Sequence, residues 1–72
     1  TLLIIAVKCG RADLLEHLLA MGCDIDGQNK EGYTALHYAI CFGFTHCRHI
    51  LLRNGANELL ENKYRQNAWQ MQ

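Results

Sequence analysis

The sequence predicts an all-α solenoid of paired short helices joined by hairpin loops, and three observations lead there. Laid over itself with a shift of 33 residues, the 72-residue chain matches at ten of 39 compared positions. The pairs are Thr1/Thr34, Leu3/Leu36, Ala6/Ala39, Gly10/Gly43, Leu18/Leu51, Leu19/Leu52, Gly22/Gly55, Asn29/Asn62, Lys30/Lys63 and Ala35/Ala68. What recurs is chosen by kind, since small residues, punctuating glycines and a Leu-Leu pair return together. A fixed period of about 20–50 residues marks stacked units that bury their apolar faces only against neighbours. Within each period, apolar residues then fall at helical spacing in two short runs divided by a glycine. Between periods lies a polar, turn-forming stretch.

The elements follow in order. In the first period Leu3, Ala6 and Val7 share one face, Gly10 interrupts, Leu14, Leu15, Leu18 and Leu19 form a second stripe, and Gly22 stops it. The stretch Cys23 to Tyr33 is a loop, with Asp24, Asp26, Gly27, Asn29 and Gly32 favouring turns. Thr34 is expected to cap a helix running from about Ala35 to Phe42, whose apolar face is Leu36, Ala39 and Ile40. Gly43 ends it. Thr45 is expected to cap the next helix, which reaches about Arg53 and carries Cys47, Ile50, Leu51 and Leu52. Gly55 then supplies the left-handed stop that glycine adopts freely. Ala56 to Gln66 is a second polar link. Helices of about 8–10 residues are marginal alone, so each pair needs its neighbour.

Bulk properties remove several function classes. The chain is 50% hydrophobic and 19% charged, with seven basic and seven acidic residues and zero formal net charge. Nucleic-acid binders gather a basic excess on one face, and this chain has no basic run. The longest apolar stretch, Leu2 to Val7, is far short of the roughly 20 residues that cross a bilayer. No charged segment precedes it, so it does not read as a signal peptide.

Four cysteines, Cys9, Cys23, Cys41 and Cys47, allow two disulfides in three pairings. Cys23 stands one period before Ala56, and Cys47 one period after Leu14, which marks both as small core residues. Reduced thiols and an intracellular setting are therefore expected. Cys41, His46, Cys47 and His49 lie close in sequence but lack zinc-ligand spacing, because His46 and Cys47 are adjacent and diverge by about 100° on a helix. Serine is absent from the sequence, and no phosphate loop or carboxylate pair assembles, so neither an enzyme nor a cofactor is expected.

The run Gly32-Tyr33-Thr34-Ala35-Leu36-His37-Tyr38-Ala39, followed by Gly43, Leu51-Leu52 and Gly55-Ala56-Asn57, resembles one whole ankyrin repeat. The family's signature is G-x-T-P-L-H-x-A, a glycine between the helices, and L-L-x-x-G-A-D or -N. Thr1 to Ala6 resembles the same opening with isoleucine in place of histidine, and Asn67-Ala68-Trp69-Gln70 an eroded one. The expected units are 1–28, a repeat whose start is missing; 29–61, a complete repeat; and 62–72, the beginning of a degenerate third. Arg48 departs from the family's buried aliphatic residue, so either that helix edge is solvated or Arg48 lays its stem over the core. Arg65 stands in place of Gly32 and Asn67 in place of Thr34. Leu59 and Leu60 occupy hairpin positions held by Asp26 and Gly27 one period earlier.

The resemblance implies a protein–protein interaction module, with a concave surface made of hairpin tips and the exposed face of each first helix. The partner-binding positions it assigns are Lys30, Glu31, Tyr33, Cys41, Phe42, Asn54, Lys63, Tyr64 and Gln66, with Lys8, Cys9 and Met21 in the first repeat. The expected partners are another protein and flanking repeats of the same chain, with no nucleic acid and no membrane insertion. Aromatic residues are enriched in binding hot spots, which favours Tyr33, Phe42 and Tyr64. The same resemblance gives Thr34 and His37 a structural role, as a local hydrogen-bonded pair that ties the loop to the next repeat. A structural spacer, or a regulatory appendage of a larger enzyme or channel, is the alternative.

Overall fold

The computed structural model describes residues 1–71. Four α-helices succeed one another: α1 (Leu2–Lys8), α2 (Ala12–Ala20), α3 (Ala35–Cys41) and α4 (Thr45–Arg53), with a 3₁₀ turn at Ala68–Met71. No strand occurs among the described residues. Helix α1 packs on α2 and α3 on α4, and the two pairs stack, α1 against α3 and α2 against α4. The 3₁₀ turn continues the series by packing on α3. The last residue of the expected third unit, Gln72, lies outside the described residues.

One core runs through both helix pairs. Leu3, Val7, Leu15, Leu36, Ile50 and Leu51 are fully buried together with Ala6, Ala35, Ala39 and Cys47. Three of those alanines belong to the first helices, α1 and α3, where small side chains let neighbouring repeats approach closely. Cys47 takes the core position expected of it, and burial pushes its thiol pKa up. Cys23 and Leu14 are only half-buried at the margin of the same core.

The helix ends show which local rules decided. Thr1 caps α1 by accepting from the Ile4 amide at 3.2 Å. Thr34 and His37 cap α3 reciprocally: the His37 amide donates to Thr34 Oγ1 at 3.3 Å and the Thr34 amide donates to His37 Nδ1 at 3.1 Å. The expectation for Thr45 is corrected. It is the first residue of α4, and Phe44 occupies the cap position without a side-chain cap. Gly43 turns left-handed, the Phe44 amide returns to the Ala39 carbonyl at 2.9 Å, and the Phe44 ring covers Gly10 of the preceding repeat. An anchored ring replaces the polar cap there.

Arg48 resolves in favour of the buried stem. It holds the position of fully buried Leu15, is half-buried itself, and sets its guanidinium 5.8 Å from the centre of the Trp69 ring. The Trp69 indole N–H donates to Glu58 Oε1 at 2.8 Å. The eroded third opening keeps the cap chemistry with other residues: the Asn67 amide donates to Gln70 Oε1 at 2.7 Å, and the Gln70 amide donates to Asn67 Oδ1 at 3.1 Å.

Candidate functional site

The hairpins are shaped by asparagine. Asn29 Oδ1 accepts from the Glu31 and Tyr33 amides at 3.0 Å each, while the Asn29 amide donates to the Tyr33 carbonyl at 3.0 Å. Short polar side chains that bond backbone two to four residues on are turn formers by chemistry. The loop so fixed presents Lys30 and Glu31 at its tip, both exposed, and delivers Tyr33 to the start of α3. The next hairpin lies beside it, with the Lys63 amide donating to the Glu31 carbonyl at 2.9 Å; numbered by the repeats they lead into, residues 24–33 are the second hairpin and 57–66 the third.

From Tyr33 a run of aromatic rings climbs α3. Tyr33 lies 5.4 Å from Tyr38, Tyr38 lies 5.7 Å from Phe42, and Phe42 lies 5.7 Å from Phe44. These separations are those of edge-to-face and tilted ring contacts. Tyr33 also meets His37 edge-on at 5.7 Å. Within the run Phe42 is 47% exposed, and Tyr64 of the neighbouring hairpin is 57% exposed. Cations stand over two of these rings: Lys8 Nζ is 4.9 Å from the Tyr38 ring centre and Lys63 Nζ is 5.1 Å from that of Tyr64. An ammonium over a ring face is attracted by its quadrupole.

The Tyr33 phenol has its pKa raised. Loss of hydration is the main cause, and Tyr64, Glu31, Tyr38 and Cys41 add to it. Of the expected positions, Glu31, Cys41 and Tyr64 thus lie around this ring. Cys41 and Gln66 are exposed, Cys41 closing α3 and Gln66 ending the third hairpin. Asn54 is exposed as well. It closes α4, where its side-chain amide donates to the Ile50 carbonyl at 2.8 Å, so its polarity serves its own helix end. The reading from residues missed Tyr38. Its signal was available, since Tyr38 and Phe42 are one helical turn apart and share a face.

The surface is a shelf more than a cavity. Aromatic rings supply apolar area at low conformational cost, and Lys8 and Lys63 border them with positive charge. No histidine, cysteine or carboxylate cluster of metal-binding form stands among the described residues. No helix there is long and apolar enough to cross a membrane.

Comparison with known proteins gives a consistent result. A family model described as ankyrin repeats (3 copies) matches residues 1–70. The human protein "SH3 and multiple ankyrin repeat domains protein 2" is 38% identical over 66 residues, covering 92% of this chain and 4% of that protein. "Inhibitor of Bruton tyrosine kinase" of Xenopus laevis is 38% identical over 61 residues, covering 82% of this chain and 5% of that protein. The crystal structure of the ankyrin repeat domain of Bcl-3 superposes with a TM-score of 0.94 at 29% identity, over 96% of this chain and 30% of that one. The chain therefore spans a small part of the length of the relatives it matches.

Proposed function

The chain belongs to the ankyrin repeat family, whose repeats are generally protein–protein interaction modules, and from that premise we infer that it binds a protein partner along the aromatic shelf of α3. The residues assigned to contact are Tyr33, Phe42 and Tyr64, with Tyr38 holding the first two in line and Lys30, Glu31, Cys41, Lys63 and Gln66 bordering them. The observation that carries this reading is the contiguity of Tyr33, Tyr38 and Phe42 at 5.4 and 5.7 Å on a face that still exposes Phe42. Buried aromatic anchors near the centre of an interface supply most of its binding energy.

Charge narrows the partner. Lys30 and Lys63 repeat at the hairpin tips one period apart, and Lys8 stands over the Tyr38 ring. Like charges in register favour an acidic or mixed partner over a basic one. The unit carries no reaction of its own, works inside the cell, and divides at 28/29 and 61/62. Its scaffold is repetitive, and its specificity lies in side chains at the tips and on α3.

A photo-crosslinking residue placed at Phe42 in the parent protein, compared with one at exposed Glu16 on α2, tests the reading. A discrete crosslinked protein at position 42 and none at 16 is expected. Equal crosslinking at both sites contradicts it.

A further inference from the structure

The second and third hairpins are alike inside. Asn62 Oδ1 accepts from the Tyr64 and Gln66 amides at 2.9 and 3.0 Å, repeating the pattern of Asn29 one period on. The Gly32 amide donates to the Asn29 carbonyl at 2.9 Å, and the Arg65 amide to the Asn62 carbonyl at 3.0 Å. Residues 32 and 65 are both left-handed, with φ of +83° and +61°. Arg65 is the only non-glycine residue with positive φ among the described residues.

They differ on the side that faces the next unit. The second hairpin holds the third through side chains and by close approach. Asp26 Oδ1 accepts from the Asn57 amide at 2.8 Å, and Gln28 Nε2 donates to the Glu61 carbonyl at 3.0 Å. The Lys63 amide reaches the Glu31 carbonyl because position 32 lacks a side chain: a Cβ on Gly32 would stand 2.8 Å from Asn62 Cα and 3.0 Å from Lys63 N. Real Cβ atoms essentially never make a contact as short as 2.8 Å, and the atoms met are backbone.

One period on, all three features are gone. Leu59 replaces Asp26 and offers no acceptor. Glu61 replaces Gln28, and a carboxylate has no proton to give a carbonyl. Arg65 replaces Gly32 and, in the same left-handed conformation, puts a Cβ where a following hairpin's backbone would come. Gln70 alone, at the position of His37, keeps an amide donor.

We propose that the third hairpin closes the hairpin row. A repeat following Gln66 cannot lay its hairpin against residues 61–66 in the register that joins the third hairpin to the second. The rim of the shelf therefore ends at Tyr64, whatever follows in sequence. The inference stands on the contacts between hairpins and not on the partner-binding reading.

The substitutions Asp26→Leu, Gln28→Glu and Gly32→Arg together write the outgoing side of the third hairpin onto the second. Amide exchange in the 72-residue chain then reads the result. Exchange at Lys63 should quicken at least about tenfold while Leu51 in α4 stays protected, which is local opening without global unfolding. Unchanged protection at Lys63 overturns the proposal. The converse test joins a copy of residues 34–66 after Gln66, leaving the native ties between the second and third hairpins in place, and it decides the matter should the triple variant unfold as a whole. The copy's own Lys63 amide should be unprotected, and Leu59→Asp, Glu61→Gln and Arg65→Gly in the preceding hairpin should protect it. Protection without those substitutions, or none with them, contradicts the proposal.

Discussion

His37 Nε2, on α3, lies 2.9 Å from the carbonyl oxygen of Gln66 in the third hairpin. Because Nδ1 accepts the Thr34 amide at 3.1 Å, the proton sits on Nε2 and is donated to Gln66. A single imidazole thus caps its own helix and ties down the next hairpin.

Replacing His37 with alanine removes both bonds and opens space in a fully buried site. The expected cost is about 2–4 kcal/mol, combining a lost cap, the lost bond to the Gln66 carbonyl and a cavity. Equilibrium denaturation measures it, and a cost below about 1 kcal/mol would contradict the assigned role.

Two glycines separate strain from collision. Gly55 has φ of +84° and open space where a Cβ would go, whereas Gly32 has φ of +83° and backbone in the way. Gly55→Ala should cost about 1–2 kcal/mol, the scale of forcing a Cβ into the left-handed region. Gly32→Ala should cost clearly more, because the third hairpin must move. Equal losses in a denaturant titration would show that hairpin approach carries no stability.

How much could be read beforehand depends on the residue. The period, the glycine stops and the Leu-Leu pair place four helices within a residue or two, because they reflect local chemistry repeated twice. Thr45 misled because its hydroxyl suits a cap, while the deciding contact is the Phe44 ring over Gly10, a neighbour 34 positions away in sequence. Tyr33 and Phe42 were singled out from type and place. Tyr38 was not singled out because its role depends on rings on both sides of it.

The thiols should react in order of exposure. Cys9 and Cys41 are exposed, Cys23 is intermediate and Cys47 is buried. Mass spectrometry after brief alkylation should find Cys9 and Cys41 labelled first and Cys47 last. Burial raises the Cys47 pKa in the folded chain, so above the free-thiol value of about 8.5 the unfolded chain releases that proton more readily. Its contribution to stability is whole below that value and is lost as pH rises through the raised one. Cys47→Ala should flatten this part of the pH–stability curve, and an unaltered slope would count against the burial.

The most direct measurement selects peptide binders from a randomised library on the intact chain and then titrates them against the variant Tyr33→Ala, Phe42→Ala, Tyr64→Ala. Leu51→Ala serves as the contrast, since truncating a fully buried leucine should cost about 2–5 kcal/mol of stability. The triple variant should keep its helical circular dichroism and lose at least about tenfold in affinity, or about 1.4 kcal/mol. A folded triple variant that binds the selected peptides as tightly as the parent chain would contradict the assignment of the shelf as the binding site.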